Sequence, residues 1–91
     1  MNMLRKKLQI INKLGLHARA AAKLVQTAAK FESHIEISRD GVSANCKSIM
    51  GVMMLAASQH TWVEIVVTGN DEEHALGAIE TLIANRFGEE R

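Results

Sequence analysis

Apolar and polar positions alternate along four stretches of this chain and follow helical spacing along three others. In LRKKLQII, residues 4–11, Leu8 and Ile10 share one face, which predicts a strand. In HIEIS, residues 34–38, Ile35 and Ile37 point one way and Glu36 the other. The pair Asp40-Gly41 is a hairpin signal, and Val42, Ala44 and Cys46 continue the period of two beyond it. The second and third strands are therefore expected as antiparallel neighbours. A fourth strand, TWVEIVVTG over residues 61–69, carries Val63, Ile65 and Val67 on one face.

Residues 18–31 are rich in the strong helix formers Ala, Lys and Leu. Ala21, Leu24, Val25, Ala28 and Ala29 fall at helical spacing and predict the buried stripe. A second helical segment, SIMGVMMLAAS, spans 48–58 with Ser48 at its start. The third starts at Asn70-Asp71, and Glu73, three residues after Asn70, fits a capping box. Its inner face is Ala75, Leu76, Ile79, Leu82 and Ile83, and Arg86 and Gly88 close it as a cation followed by glycine. The order βαββαβα is most simply buried as a sheet with helices on one side, an α+β fold.

Composition narrows this further. With 91 residues, 47% hydrophobic and 23% charged, no Pro and no low-complexity segment, residues 1–91 read as a single globular domain. Three aromatics, Phe31, Trp62 and Phe87, leave aliphatic and Met side chains to fill the core. A net charge of +1 gives no bulk attraction to nucleic acid or anionic membrane. RNA-binding modules of similar element order need a basic surface and stacking aromatics, which this chain lacks. No apolar run approaches a bilayer span, and the basic opening MNMLRKKLQ has no apolar segment behind it, so no export signal is expected. Cys46 is the single cysteine, which with these features predicts a cytoplasmic protein. His17, His34, His60 and His74 are too dispersed for a metal site, so no metal and no cofactor are expected.

Two helix starts carry candidate chemistry. His17 sits just before the first helix, whose unpaired amides at residues 18–20 and the Arg19 guanidinium suit an anion. A neutral imidazole is a competent nucleophile there, although a polar residue at a helix start also reads as a simple cap. Ser48 is likewise a preferred cap, or a position where phosphoserine would meet the helix dipole with Lys47 balancing charge. The segment after it is apolar nearly all round. Some of Ile49, Met50 and Met53 should therefore be exposed as a soft docking patch, and Gly51 points to a close backbone approach.

NKLGLHARAAAKLVQTA and KSIMGVMMLAA, with His17 and Ser48 about thirty residues apart, resemble the two signature segments of HPr, the histidine-containing phosphocarrier family of the bacterial sugar phosphotransferase system. The resemblance covers essentially the whole chain. It implies an open-faced sandwich, a four-stranded antiparallel sheet with three helices on one face. It implies that His17 accepts a phosphoryl group on Nδ1 from phosphorylated Enzyme I and passes it to a IIA domain of a sugar permease or a regulatory relative. Arg19 and the Ala18 amide would steady the phosphate, and Ser48 would be the serine modified by HPr kinase/phosphorylase. Lys47, Ile49, Met50 and Met53 would face the partners, with Leu16, Ala20 and Lys23 at the edge of that patch. The resemblance thus implies a monomeric carrier turned over by its partners rather than an enzyme, in keeping with the lack of a second acid or base near His17 in the sequence. Three departures stand out. Ala20 replaces the family's usual Pro and adds an amide donor; Gln59-His60 replaces Lys-Gly; and Ser-Ile-Met-Gly is usually missing from the nitrogen-regulatory relatives.

Overall fold

The period-two stretches become one sheet. In the computed structural model, which describes residues 3–91, β1 (Leu4–Gln9), β2 (His34–Arg39), β3 (Val42–Asn45) and β4 (Trp62–Thr68) pair antiparallel in the order β1-β4-β2-β3. Residues 1 and 2 of the basic opening lie outside the described residues. The β2–β4 register sets Ile35 opposite Val67 and Ile37 opposite Ile65, so the apolar positions of both strands fall on the same face. On that face lie α1 (Ala18–Ala28), α2 (Ile49–Met54) and α3 (Glu72–Ala84), followed by a 3₁₀ turn over Arg86–Gly88. The fold is the α+β open-faced sandwich that the element order and the resemblance imply.

The core between the two layers joins Ile35, Ile37, Val63, Ile65 and Val67 of the sheet to Leu24, Val52, Ile79 and Phe87 of the helical layer, all buried. The opposite sheet face is mostly polar, with Trp62 exposed on it, and an Arg5–Glu64 ion pair at 3.1 Å crosses it. At such exposure the pair contributes no more than about 1 kcal/mol. Asp40 (φ 50°) and Gly41 (φ 82°) form the predicted tight hairpin turn. Val42 is nonetheless exposed and Ala44 half-buried, so of the third strand's inward series only Cys46 is fully covered. Burial, and secondarily the charge of Glu36, push the Cys46 thiol up to about 12, which leaves it without thiolate near neutral pH.

Several helix boundaries differ from expectation for identifiable reasons. α1 stops at Ala28, and the amides of Lys30 and Phe31 tighten to i→i−3 bonds on Thr27 and Ala28. Its buried stripe is Ala20, Ala21, Leu24 and Ala28; Val25 is half-buried and Ala29 exposed. α2 is six residues long, not eleven, because the chain turns at Ala56 (φ 50°). The Arg39 guanidinium caps that end, donating to the carbonyls of Leu55 (2.9 Å) and Ala56 (3.3 Å). Gly51 is explained by side chains rather than backbone, since a Cβ there would stand 3.3 Å from Ala44 Cβ and from Ser48 Oγ. His60 takes a positive φ, 74°, at the turn before β4.

The capping box at Asn70 and Glu73 does not form. Asp71 is the N-cap of α3, and its side chain makes no cap bond. Its carboxylate instead accepts from the amides of Glu32 (2.9 Å) and Ser33 (3.0 Å) and from the Ser33 hydroxyl, tying the segment between α1 and β2 to the start of α3. The Ser33 hydroxyl, with the Glu32 amide next, holds the Asp71 carboxyl below its ordinary value of 3.8. A carboxyl lower in the folded state contributes stability that is present above the unfolded value and lost as pH falls through the folded one. Asp71→Asn is expected to flatten the fall of stability below about pH 4, measured by urea melts across that range. An unchanged acid limb would contradict this role.

Candidate functional site

α1 begins where His17 leaves the helical region, with φ −72° and ψ 177°, while its carbonyl accepts from Ala21 N at 2.8 Å. The amides of Ala18, Arg19 and Ala20 consequently have no carbonyl one turn back. The first turn holds no acidic side chain, so its partial positive charge is available to an anion. The His17 side chain makes no cap bond, which removes the reading of it as a simple helix cap.

The approach to His17 is a tight turn. Gly15 takes φ 66°, its amide donates to Asn12 O (3.1 Å), and Asn12 Nδ2 returns a bond to Gly15 O at 2.8 Å. Leu16 N then bonds Ala57 O at 2.8 Å, fixing the segment before His17 to the loop after α2. These bonds place His17 beside a cleft of about 770 Å³ lined by Lys13, Leu14, His17, Ala18, Arg19, Glu89 and Arg91. Three cationic side chains against one carboxylate make this cleft suited to a doubly negative phosphoryl group. The imidazole is partly open to solvent, with 28% of its side-chain surface exposed.

The carboxylate comes from far along the chain. After α3, Arg86, Phe87 and Gly88 take φ 56°, 55° and 81°, a left-handed turn that sends the chain back toward residue 17. Left-handed backbone costs about 1–2 kcal/mol per non-glycine residue. Burial of Phe87, roughly 2–3 kcal/mol, and a 2.6 Å bond from Lys23 Nζ to Phe87 O oppose that cost. Glu89 Oε2 thereby hydrogen-bonds His17 Nε2, and Glu89 Oε1 accepts from Asn12 Nδ2 at 2.9 Å. Partial burial alone would raise the Glu89 carboxyl; the hydrogen bonds from Asn12 and His17 and the charge of Lys23 together hold it below its ordinary value. A second ionisable group therefore does lie beside His17, contrary to what the neighbouring sequence implies. Lys13, Glu89 and Arg91 were not legible as site residues, and for the last two no local signal exists.

Other expected site residues divide clearly. Ala18 and Arg19 line the cleft with His17. Leu16 and Ala20 do not face partners: both are buried, packed into the core beneath the site. Their burial corrects the expected place at the edge of a docking patch to a supporting one. Lys23 is turned to Phe87 O. Lys47 is exposed, but its ammonium bonds Phe31 O at 2.7 Å rather than the Ser48 side chain.

Ser48 caps α2: its Oγ accepts from Gly51 N at 3.2 Å, and Ile49, Met50 and Met53 beside it are all exposed, as is Met54. Val52 is the buried member of that helix. Ser48→Ala is expected to lower stability by about 1 kcal/mol, read as a shift of the urea midpoint at constant slope. A change under a few tenths would mean the cap bond contributes nothing.

Residues 4–85 match the family model described as PTS HPr component phosphorylation site. The phosphocarrier protein HPr of Xylella fastidiosa is 53% identical over 97% of this chain and 99% of its own. That of Cupriavidus necator is 55% identical over 96% and 98%. Among solved structures, HPr-C-His from Thermoanaerobacter tengcongensis superposes with a TM-score of 0.93 at 48% identity, covering 97% of this chain and 99% of that one. Fold and sequence thus put the molecule in the class of phosphocarrier proteins. More particularly, the chain belongs to the HPr family of the phosphotransferase system. No helix among the described residues is long and apolar enough to cross a membrane.

Proposed function

We propose that this protein is a monomeric, cytoplasmic shuttle that takes a phosphoryl group from phosphorylated Enzyme I onto Nδ1 of His17 and delivers it to a IIA domain. The observation that carries this reading is a partly exposed imidazole at the start of α1, beside unpaired amides and the cations Lys13, Arg19 and Arg91. Phosphoryl transfer asks mainly for positioning and charge balance, and the cleft supplies both. The imidazole lone pair forms the new N–P bond as the bond between phosphorus and the donor breaks, and the electron pair of that bond leaves with the donor group. Arg19 steadies the phosphate, as does the Ala18 amide. The exposed side chains of Ile49, Met50 and Met53 form the apolar surface on which partners dock.

Ser48, next to that surface, is the site of regulatory phosphorylation by HPr kinase/phosphorylase. A phosphate there adds charge among side chains that must be desolvated for docking, so it weakens Enzyme I binding. The test combines two labels. Phosphoenolpyruvate with Enzyme I should give one acid-labile phosphoryl group per chain, and ATP with the kinase one acid-stable group on Ser48. A chain that takes no label from the first mixture is not a carrier; one that takes none from the second lacks the regulation. Ser48→Asp is expected to slow labelling by Enzyme I, and equal initial rates for it and the parent would count against the crosstalk.

A further inference from the structure

Building on that reading of His17, we propose that Glu89 is a positioning residue that keeps a proton on Nε2 of the ring, both before and after Nδ1 carries the phosphoryl group. Glu89 Oε2 bonds Nε2, while Asn12, wholly buried, donates to Glu89 Oε1 at 2.9 Å and to Gly15 O at 2.8 Å. The carboxylate is thus bracketed between the ring and the turn that carries the ring. Lys23 anchors the same segment through Phe87 O.

The chemistry follows from what a carboxylate can do. Ionised, it only accepts hydrogen bonds, so Nε2 must be the donor and the lone pair of the neutral ring resides on Nδ1. When Nδ1 bonds to phosphorus, the Nε2 proton stays where it is and the ring becomes cationic. Glu89 balances that charge on one edge of the ring, and Lys13, Arg19 and Arg91 face the phosphoryl group in the cleft. At the next step the N–P bond breaks and its electron pair returns to Nδ1, which leaves as a neutral imidazole. Without the proton the leaving group would be an imidazolate, a far poorer one. No proton has to enter or leave the site in either direction. Carboxylate partners of catalytic and metal-bound histidines act by the same fixing of proton and orientation.

The test is a ¹⁵N NMR titration of the His17 ring in the full chain, phosphorylated by Enzyme I and phosphoenolpyruvate, for the parent, Glu89→Gln and Glu90→Gln. A nearby opposite charge moves a titration by about 1–3 units, and partial solvent exposure puts the expected effect near the lower end. Glu89→Gln should therefore bring the Nε2 midpoint of the phosphorylated ring down by about 1 unit. The pH profile of onward transfer should move by the same amount. Glu90→Gln removes an equal charge one residue away and should titrate as the parent does. Glu89→Asp, which keeps the charge, should recover part of the shift. Superimposable curves for the parent and Glu89→Gln would overturn the proposal. If Enzyme I fails to label the parent, the carrier reading falls, and rings phosphorylated directly with phosphoramidate still decide the role of Glu89.

Discussion

His17→Ala is expected to abolish labelling by phosphoenolpyruvate and Enzyme I, a loss of more than about 10³-fold given what removing a nucleophile does elsewhere. His34, His60 and His74 are exposed and remain in the variant, so residual label at the parent's rate would show that another ring is the acceptor. The fold should survive. The His17 side chain is partly exposed and makes no cap bond, and Glu89 keeps its bond from Asn12 when the ring is removed, so the loss should change stability by about 1 kcal/mol. Arg19→Ala makes the informative contrast. It removes one donor of the anion site but leaves the nucleophile, so labelling should slow by about 10²-fold rather than vanish. Rapid-quench labelling with radioactive phosphoenolpyruvate separates the two results. Equal residual rates for the two variants would mean that His17 contributes only electrostatics, and the assignment of Nδ1 as acceptor would fail.

Gly15→Ala carries the largest expected stability effect, and its cause is steric. Gly15 has φ 66°, and a Cβ built there stands 2.5 Å from Ala57 O and 2.8 Å from Ser58 Cα. Both atoms are backbone, and the Ala57 carbonyl is already bonded to Leu16 N. Neither can rotate away as a side chain would. Strain and overpacking together should lower stability by about 3 kcal/mol. Gly41→Ala is the control, because its φ of 82° is equally unfavourable but nothing lies within 4 Å of the added methyl group. That variant should lose only the conformational part, about 1 kcal/mol. If the two glycines respond equally in chemical melts, the close approach of the 12–15 turn to the loop after α2 is not what holds His17 in place. The Gly15 variant should also label more slowly than its folded fraction predicts, since the bond that fixes residue 16 would be displaced.

What could be read without coordinates was local. The strand alternation, the Asp40-Gly41 turn and the Ser48 cap each depend on residues within a few positions of one another. So does the placement of His17 ahead of a run of strong helix formers. For these, short-range sterics and backbone hydrogen bonding decide the outcome, and they are written in the residue types themselves. The Asn70–Glu73 capping box shows where that reasoning stops. Its pattern is correct, but the Asp71 carboxylate has better donors in the amides of Glu32 and Ser33, which arrive from the segment between α1 and β2. The overlong α2 failed similarly, because an apolar run does not reveal that Ala56 turns and that Arg39 caps the helix from β2.

The sequence by itself determined which elements form, where the His17 imidazole sits relative to a helix start, and which serine opens the apolar helix beside it. Only the tertiary structure decided that Leu16 and Ala20 are buried, that Lys47 is drawn to Phe31, and that Glu89 reaches His17 across 72 positions of chain. The physical reason is that these contacts need the sheet to be closed, Phe87 to be buried in its left-handed turn, and Asn12 to be enclosed. Each of those depends on the packing of both layers at once, and no window of neighbouring residues contains it.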